Sequence, residues 1–230
     1  MEFTVNLNWM NEMNVLIFDT ETLPSSDPDV IESLRKSIRP PGNITKTESI
    51  DKWIAENAES KLAELVAKTS LDGGYGSIAC IAWKLGNDLP VQTTNAEMVE
   101  EEVIKAFYDA VENSAYITDS FCGHNVQFDF QFLKHRSIIL GIKPPKIFLD
   151  AMNSKPWEEK VFDTQYMWTN DRNKYISLHA LCQILGIPDK GDFDGSMVAE
   201  TWPVDPKKVI DYCTQDVQRT YEVFKRITFD

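Results

Sequence analysis

No apolar run in the chain approaches the roughly 20 residues that a membrane-spanning helix needs, so the sequence predicts no transmembrane segment and no membrane partner. The opening MEFTVNLNWMNEMN lacks both a basic start and a continuous apolar stretch, so it does not read as a signal peptide. Paired cysteines are missing too. Cys80, Cys122, Cys182 and Cys213 stand in apolar contexts with no CxxC, the pattern of reduced core residues in a cytoplasmic protein. Surplus positive charge is also absent: the net charge is −13, with 21 acidic against 9 basic residues up to position 122 and 15 against 14 beyond it. That balance argues against tight duplex binding through Lys and Arg. It does not exclude a nucleic-acid enzyme, because divalent cations can supply positive charge locally.

What is present belongs to a packed globular protein. The composition is 43% hydrophobic with six Trp and twelve Phe, and 230 residues suffice for one sizeable core. Repeats, low-complexity tracts and linkers are lacking, so residues 1–230 are expected to form a single domain. VLIFDTETL reads as a first strand; SSDPDVIESLRKSI and TESIDKWIAENAESKLAELVAKTS read as two helices inserted at about 27–70. SIACIAWKLG and LPVQTT read as strands of a meander joined by Gly-Asn-Asp, and Glu97 to Ser114 as an amphipathic helix. ITDSFCG predicts a short strand ending at His124-Asn125, VQFDFQFLKHRSIILG a helix, and PPKIFLDAM another strand. ISLHALCQILG and the stretch from Pro206 to Ile227 predict the closing helices. The sum is a three-layer α/β fold with a mixed central sheet and a helical insertion after the first strand.

The chemistry gathers in acids. Asp19 and Glu21 follow four apolar residues of the first strand, and positions i and i+2 on a strand share a face. Two carboxylates held that close repel unless something positive lies between them. Asp129, in GHNVQFD, sits in the first turn of a helix that follows a strand end. Tyr212 and Asp216, in YCTQD, are i and i+4 on the last helix and so share a face. Each signal alone is also what a helix cap, a dipole-facing acid or a surface pair would give.

Their order is more specific. FDTET (Phe18 to Thr22), HNVQFD (His124 to Asp129) and YCTQD (Tyr212 to Asp216) resemble the three motifs of DEDD-type 3′–5′ exonucleases of the RNase H-like superfamily. Asp211 stands where the histidine-bearing branch has His, so the likeness is to the tyrosine-bearing DEDDy branch. The segment SLHALCQILGIPDKGDFDGSMVAE and the helical insertion are similar to stand-alone exonucleases related to the proofreading domain of family B DNA polymerases. The resemblance covers nearly the whole chain; the residues before Met13 fall outside it.

That resemblance implies two divalent cations, Mg²⁺ or Mn²⁺, which suit all-oxygen ligation better than zinc does. It assigns Asp19 to bridge both ions, Glu21 and Asp216 to the ion that activates water, and Asp129 to the ion facing the leaving 3′ oxygen. Tyr212 would orient water and phosphate, since a phenol with an ordinary pKa of about 10 is a poor base. Asn125 and the backbone around Thr22 and Leu23 would hold the terminal nucleotide. Phe128 and Phe132 read either as stacking residues or as core, Asp163 as a second acid or a helix cap, and Lys190 as a phosphate contact or a solvated loop lysine. Lys155, Lys160, Arg172 and Lys174 either line the strand's path or are solvated; His179 and Cys182, with no second pair of ligands, read as core.

The implied activity is release of nucleoside 5′-monophosphates from the 3′ end of single-stranded DNA, with a replication or repair partner unassigned. An RNase D-like RNA exonuclease shares the motifs, and a non-cleaving binding module shares the fold.

Overall fold

The structure, a computed structural model, describes residues 14–86, 89–115, 117–155, 158–171, 173–188, 191 and 193–229. Residues 1–13, the Asn and Asp of the Gly-Asn-Asp turn, Arg172 and Lys190 lie outside the described residues.

Strand β1, Val15–Leu23, alternates its side chains between two cores. Leu16 and Phe18 face one; Val15 and Ile17 face the other. Helices α1 (Pro28–Ser37) and α2 (Thr47–Lys68) follow, then β2 (Ser77–Leu85), the two-residue β3 (Gln92–Thr93) and α3 (Glu100–Ser114). Next come β4 (Ser120–Gly123), α4 (Val126–Leu140), α5 (Lys146–Met152), β5 (Val161–Asp163) and α6 (Thr164–Thr169). The chain closes with α7 (Leu178–Leu185), α8 (Val198–Thr201) and α9 (Pro206–Thr228).

The sheet order is β3-β2-β1-β4-β5. β2 runs antiparallel to β1 and β3, whereas β4 runs parallel to β1 and β5, so the sheet is mixed as the sequence predicts. Helices α3, α4 and α5 cover one face and α8 and α9 the other, which makes three layers. The first core centres on Phe18, whose ring lies 5.2 Å from those of both Phe107 and Phe130 and 6.2 Å from Phe121 and Phe148. A fully packed aromatic one residue before Asp19 leaves the acid little freedom to wander.

Three local expectations need correction. PPKIFLDAM is not a strand: Lys146–Met152 is helical, burying Phe148 and Ala151 at i and i+3 and pairing Lys146 with Asp150 at i and i+4. The edge strand is VFD, residues Val161–Asp163. LPVQTT contributes only Gln92–Thr93, and α3 begins at Glu100 rather than Glu97. Glu102 there reaches back to accept the Val99 N–H at 3.1 Å, and three glutamates in the first turn offset the helix dipole.

The inserted helices stand away from the core. α1 buries no residue and α2 buries only Leu62, although Asp27 caps α1 by accepting the Asp29 N–H. The insertion is tied down at its end, where Ser25 N–H donates to Thr69 Oγ1 and the Thr22 hydroxyl donates to the Ser70 carbonyl, both at 2.7 Å. Gly76 completes that junction. A Cβ there would fall 2.6 Å from the Thr69 carbonyl and 2.7 Å from that of Leu23. Gly76→Ala should therefore destabilise the protein by about 1–3 kcal/mol. Gly42→Ala, with nothing within 4 Å, should not. Urea unfolding of the two variants checks this; equal midpoints would mean the junction yields freely.

Candidate active site

β1 outruns its neighbour. It pairs with β4 only over Val15–Ile17, while its other edge stays paired with β2 to Leu23. From Phe18 onward one edge of β1 is therefore open, and β4 ends beside it at Gly123. The chain then turns sharply: Asn125 adopts a left-handed backbone (φ 59°), tolerated by Asn, and α4 starts at once. A Cβ at Gly123 would lie 2.7 Å from Val126, so only glycine lets the strand pass that close to the helix.

This turn delivers Asp129 to the open edge. Asp129 Oδ1 accepts the Thr20 N–H at 3.1 Å and the Thr20 hydroxyl at 2.6 Å. On the opposite face, Asp19 and Glu21 continue the alternation of Val15 and Ile17 toward α9. Ligand atoms of Asp19, Glu21 and Cys213 all lie within 4.8 Å of one another. The Cys213 sulfur stands 3.4 Å from the Asp19 carbonyl and 3.6 Å from Asp19 Oδ2. Burial pushes that thiol's pKa well up, so it remains a protonated donor.

Helix α9 supplies Tyr212 and Asp216. Burial first, then the charges of Asp216, Glu21 and Asp19, drive the Tyr212 hydroxyl far above its ordinary value, and it hydrogen-bonds Asp216. It is a proton donor throughout the physiological range. The Tyr212 ring packs edge-on against Phe193, centroids 4.9 Å apart. Asp216 is further tied to the buried Arg219, whose guanidinium lies 3.1 Å from Oδ1.

Asp19, Glu21, Asp129, Tyr212 and Asp216 thus line a single cleft of about 870 Å³, together with Asn125 and Phe128. Thr22 and Leu23 are not among its lining residues; both are strand-paired with β2. Phe132 is core, only 2% exposed. Asp163 caps α6, accepting from Gln165 and also from the Asn125 N–H at 3.0 Å, so it braces the Asn125 turn from outside the cleft. Lys155, Lys160 and Lys174 are exposed and do not line the cleft.

Cys182 is buried as expected, but His179 is not core: it is exposed on the cleft wall, because its position on α7 faces away from α9. Sequence reasoning also passed over Tyr175, Gln183 and Asp194, which line the cleft, and Arg219. The Asp216–Arg219 spacing of i, i+3 on a helix was a usable signal for that pair. His124 was quoted within its motif, but its task emerges here. Its Nε2 donates to the Ile176 carbonyl at 2.8 Å and its Nδ1 accepts from the Thr164 hydroxyl at 2.9 Å, which fixes the loop leading into α7. Burial lowers its pKa, in keeping with a neutral ring in this role.

The donor set fits hard divalent cations. It consists of carboxylate oxygens, and the one nearby sulfur is held as a thiol. Burial drives Asp129 from 3.8 up to about 7 despite the lowering effect of the Thr20 bonds. An acid whose pKa is higher folded than unfolded binds more protons when folded, so stability falls as pH rises between the two values. Metal-free protein should lose up to about 1.4 kcal/mol per pH unit from this group between about pH 4 and pH 7. Asp129→Asn should lack that component. Urea unfolding in EDTA across this range measures it, and identical slopes in both proteins would mean that Asp129 is not desolvated.

Residues 75–229 match the model of a family described as predicted 3′–5′ exonucleases related to the exonuclease domain of PolB. The second and third motifs lie in that span; Asp19 and Glu21 precede it. An uncharacterized protein of Methanocaldococcus jannaschii is 24% identical over 172 residues, covering 70% of this chain and 90% of its own. The family B DNA polymerase of the hyperthermophilic archaeon Pyrobaculum calidifontis superposes on 93% of this chain with a TM-score of 0.58 and 17% identity. The chain spans only 24% of that polymerase, and the likeness is one of fold, the RNase H-like three-layer arrangement. With two thirds of its length matched by the family model, the chain belongs to the family of predicted 3′–5′ exonucleases related to the exonuclease domain of PolB.

Proposed function

We propose that the protein is a metal-dependent 3′–5′ exonuclease of the DEDDy type that removes nucleoside 5′-monophosphates from the 3′ end of single-stranded DNA. The observation that carries this reading is the convergence of Asp19, Glu21, Asp129, Tyr212 and Asp216, from one strand and two helices, on one cleft. Family membership supports the reaction class, and kinship to part of a DNA polymerase supports DNA as the substrate.

Asp19, Glu21, Asp129 and Asp216 are the residues to hold two divalent cations. When bound, such ions would neutralise charge on the scissile phosphate and acidify the attacking water. The protein's own groups do the remaining work. Asp129 is fixed through Oδ1 by Thr20, which leaves Oδ2 as the oxygen with which it could meet a cation. Tyr212, held protonated, would turn its one hydroxyl hydrogen from Asp216 to the water or phosphate and does not act as a base. Arg219, 3.1 Å from Asp216 Oδ1, holds that carboxylate in place on α9. Asn125 and Phe128 line the same cleft and would seat the terminal nucleotide.

5′-labelled DNA and RNA oligonucleotides, single-stranded and duplex, incubated with Mg²⁺ or EDTA, test the reading. A ladder on single-stranded DNA, shortened from its 3′ end and abolished by EDTA, is expected. Matched duplex should be cut more slowly, since its terminal nucleotide must first leave its partner. Release of the label as a mononucleotide at the earliest times, or cleavage in EDTA, would contradict it; faster loss of RNA would move the substrate class to RNA. Tyr212→Phe should slow single-turnover digestion about 10- to 150-fold, the worth of one charge-assisted hydrogen bond. Wild-type rates would reduce Tyr212 to a packing residue.

A further inference from the structure

The cleft has an aromatic ring that the catalytic set does not use. Tyr175 lines it with 76% of its surface exposed. Its ring is thus open to whatever occupies the cleft, and a tyrosine offers a large flat face with little rotamer entropy to lose. Its backbone is not loose. The next carbonyl, that of Ile176, accepts from the His124 ring at 2.8 Å, and Ser177 caps α7 through the Ala180 N–H at 3.2 Å. Lys174 N–H closes a turn onto the Asp171 carbonyl at 3.1 Å, and Ile176 and Leu178 pack into the core between α7 and α9. A ring held open on a fixed backbone is what a preorganised platform requires.

Charge narrows the reading. The described lining of the cleft contains Asp19, Glu21, Asp129, Asp194 and Asp216 and, among the described residues, no Lys or Arg. The described lining therefore offers a polyanion little direct phosphate pairing, which leaves the bases of a strand as the part it can grip. Phe193 is already engaged, with Tyr212 against its ring and the Lys208 ammonium 4.9 Å from its centroid. Phe128 is half-buried on the α4 side, beside Asn125.

We propose that Tyr175 is a stacking platform for a base upstream of the scissile bond, and that stacking supplies most of the cleft's grip on single-stranded DNA. The proposal rests on the exonuclease reading above. Glu21, Asp129 and Asp216 are each no more than 9% exposed, which places hydrolysis on the cleft floor. The terminal nucleotide lies there, towards Phe128, and the strand leaves past the open ring of Tyr175 at the mouth. Stacking is indifferent to sequence, because every base has a π face, so the site grips any single strand and disfavours a duplex whose bases are already stacked.

Single-turnover digestion of 5′-labelled single-stranded DNA over a range of enzyme concentrations tests this. Tyr175→Ala should raise the half-saturating concentration about 5- to 150-fold while changing the maximal rate far less. Tyr175→Phe should restore binding. Moving one abasic nucleotide through the last few positions should weaken wild type at one upstream position, and the same lesion should cost Tyr175→Ala nothing further. Thermal melts of the variant should match wild type, since the ring is exposed. Fluorescence anisotropy of the same oligonucleotides reads the grip without cleavage, and its salt dependence should be shallow and alike in both proteins. Tyr175→Ala binding as tightly as wild type, or abasic losses that add in full, would overturn the proposal. Failure of wild type to shorten DNA would instead remove the exonuclease reading, with anisotropy still deciding whether Tyr175 grips the strand.

Discussion

Everything at the site depends on one contact, the pair of hydrogen bonds by which Thr20 holds the carboxyl of Asp129. Thr20 lies between Asp19 and Glu21 on β1, so the bond joins the first acidic pair to a helix from the opposite layer. It is possible because β4 stops at Gly123 and leaves the edge of β1 open. A longer β4 would cover that backbone N–H, and the acids of the two layers would stay on opposite faces of the sheet. The carboxyl takes the place of a missing strand partner. Satisfying a buried N–H and hydroxyl in this way also offsets part of the cost of burying an acid.

The second constraint is charge. Among the described residues, five acids line the cleft of a chain with a net charge of −13, and Arg219, itself buried, is bound to Asp216 and to the Pro188 carbonyl. The repulsion this concentrates makes the cleft ready to take up divalent cations and slow to accept a bare phosphate chain. Stacking on exposed aromatic surface and charge from bound ions would then divide the work of substrate binding. On the proposed reading, a chain of this net charge can still act on a polyanion, because the positive charge would arrive from solution.

The architecture was largely legible in the sequence where periodicity and caps agreed. Asp27 before α1 and Gly186 after α7 mark boundaries that the structure keeps. PPKIFLDAM misled because a short apolar run such as Ile147 to Leu149 fits a buried strand and a short helix equally well; the choice was made by Phe148 finding a place in the Phe18 cluster, a contact with no local trace. The acidic motifs were readable from order and spacing. What could not be read was which neighbours tune them. Thr20 appears in the sequence only as a residue between two acids, and its bond to Asp129 spans 109 positions. His179 and Cys182 read as core for want of a second pair of ligands, but neighbouring turns of this short helix have different surroundings and only Cys182 is buried. Asp163 gave no sign of choosing between cap and second acid until the Asn125 turn lay against it.

The central claim is that residues from β1, α4 and α9 build one metal site rather than a scatter of surface acids. Thermal melts of wild type and Asp19→Ala with and without Mg²⁺ address it most directly. A ligand that binds only the folded state stabilises it by mass action, and the effect must shrink when one of the acids proposed to hold it is lost. The account predicts a clear rise in Tm for wild type on adding Mg²⁺, a much smaller rise for Asp19→Ala, and a metal-free variant at least as stable as metal-free wild type, because one member of a like-charge cluster is gone. An equal rise in both proteins would mean that the ions bind elsewhere, and the single-site account would be wrong.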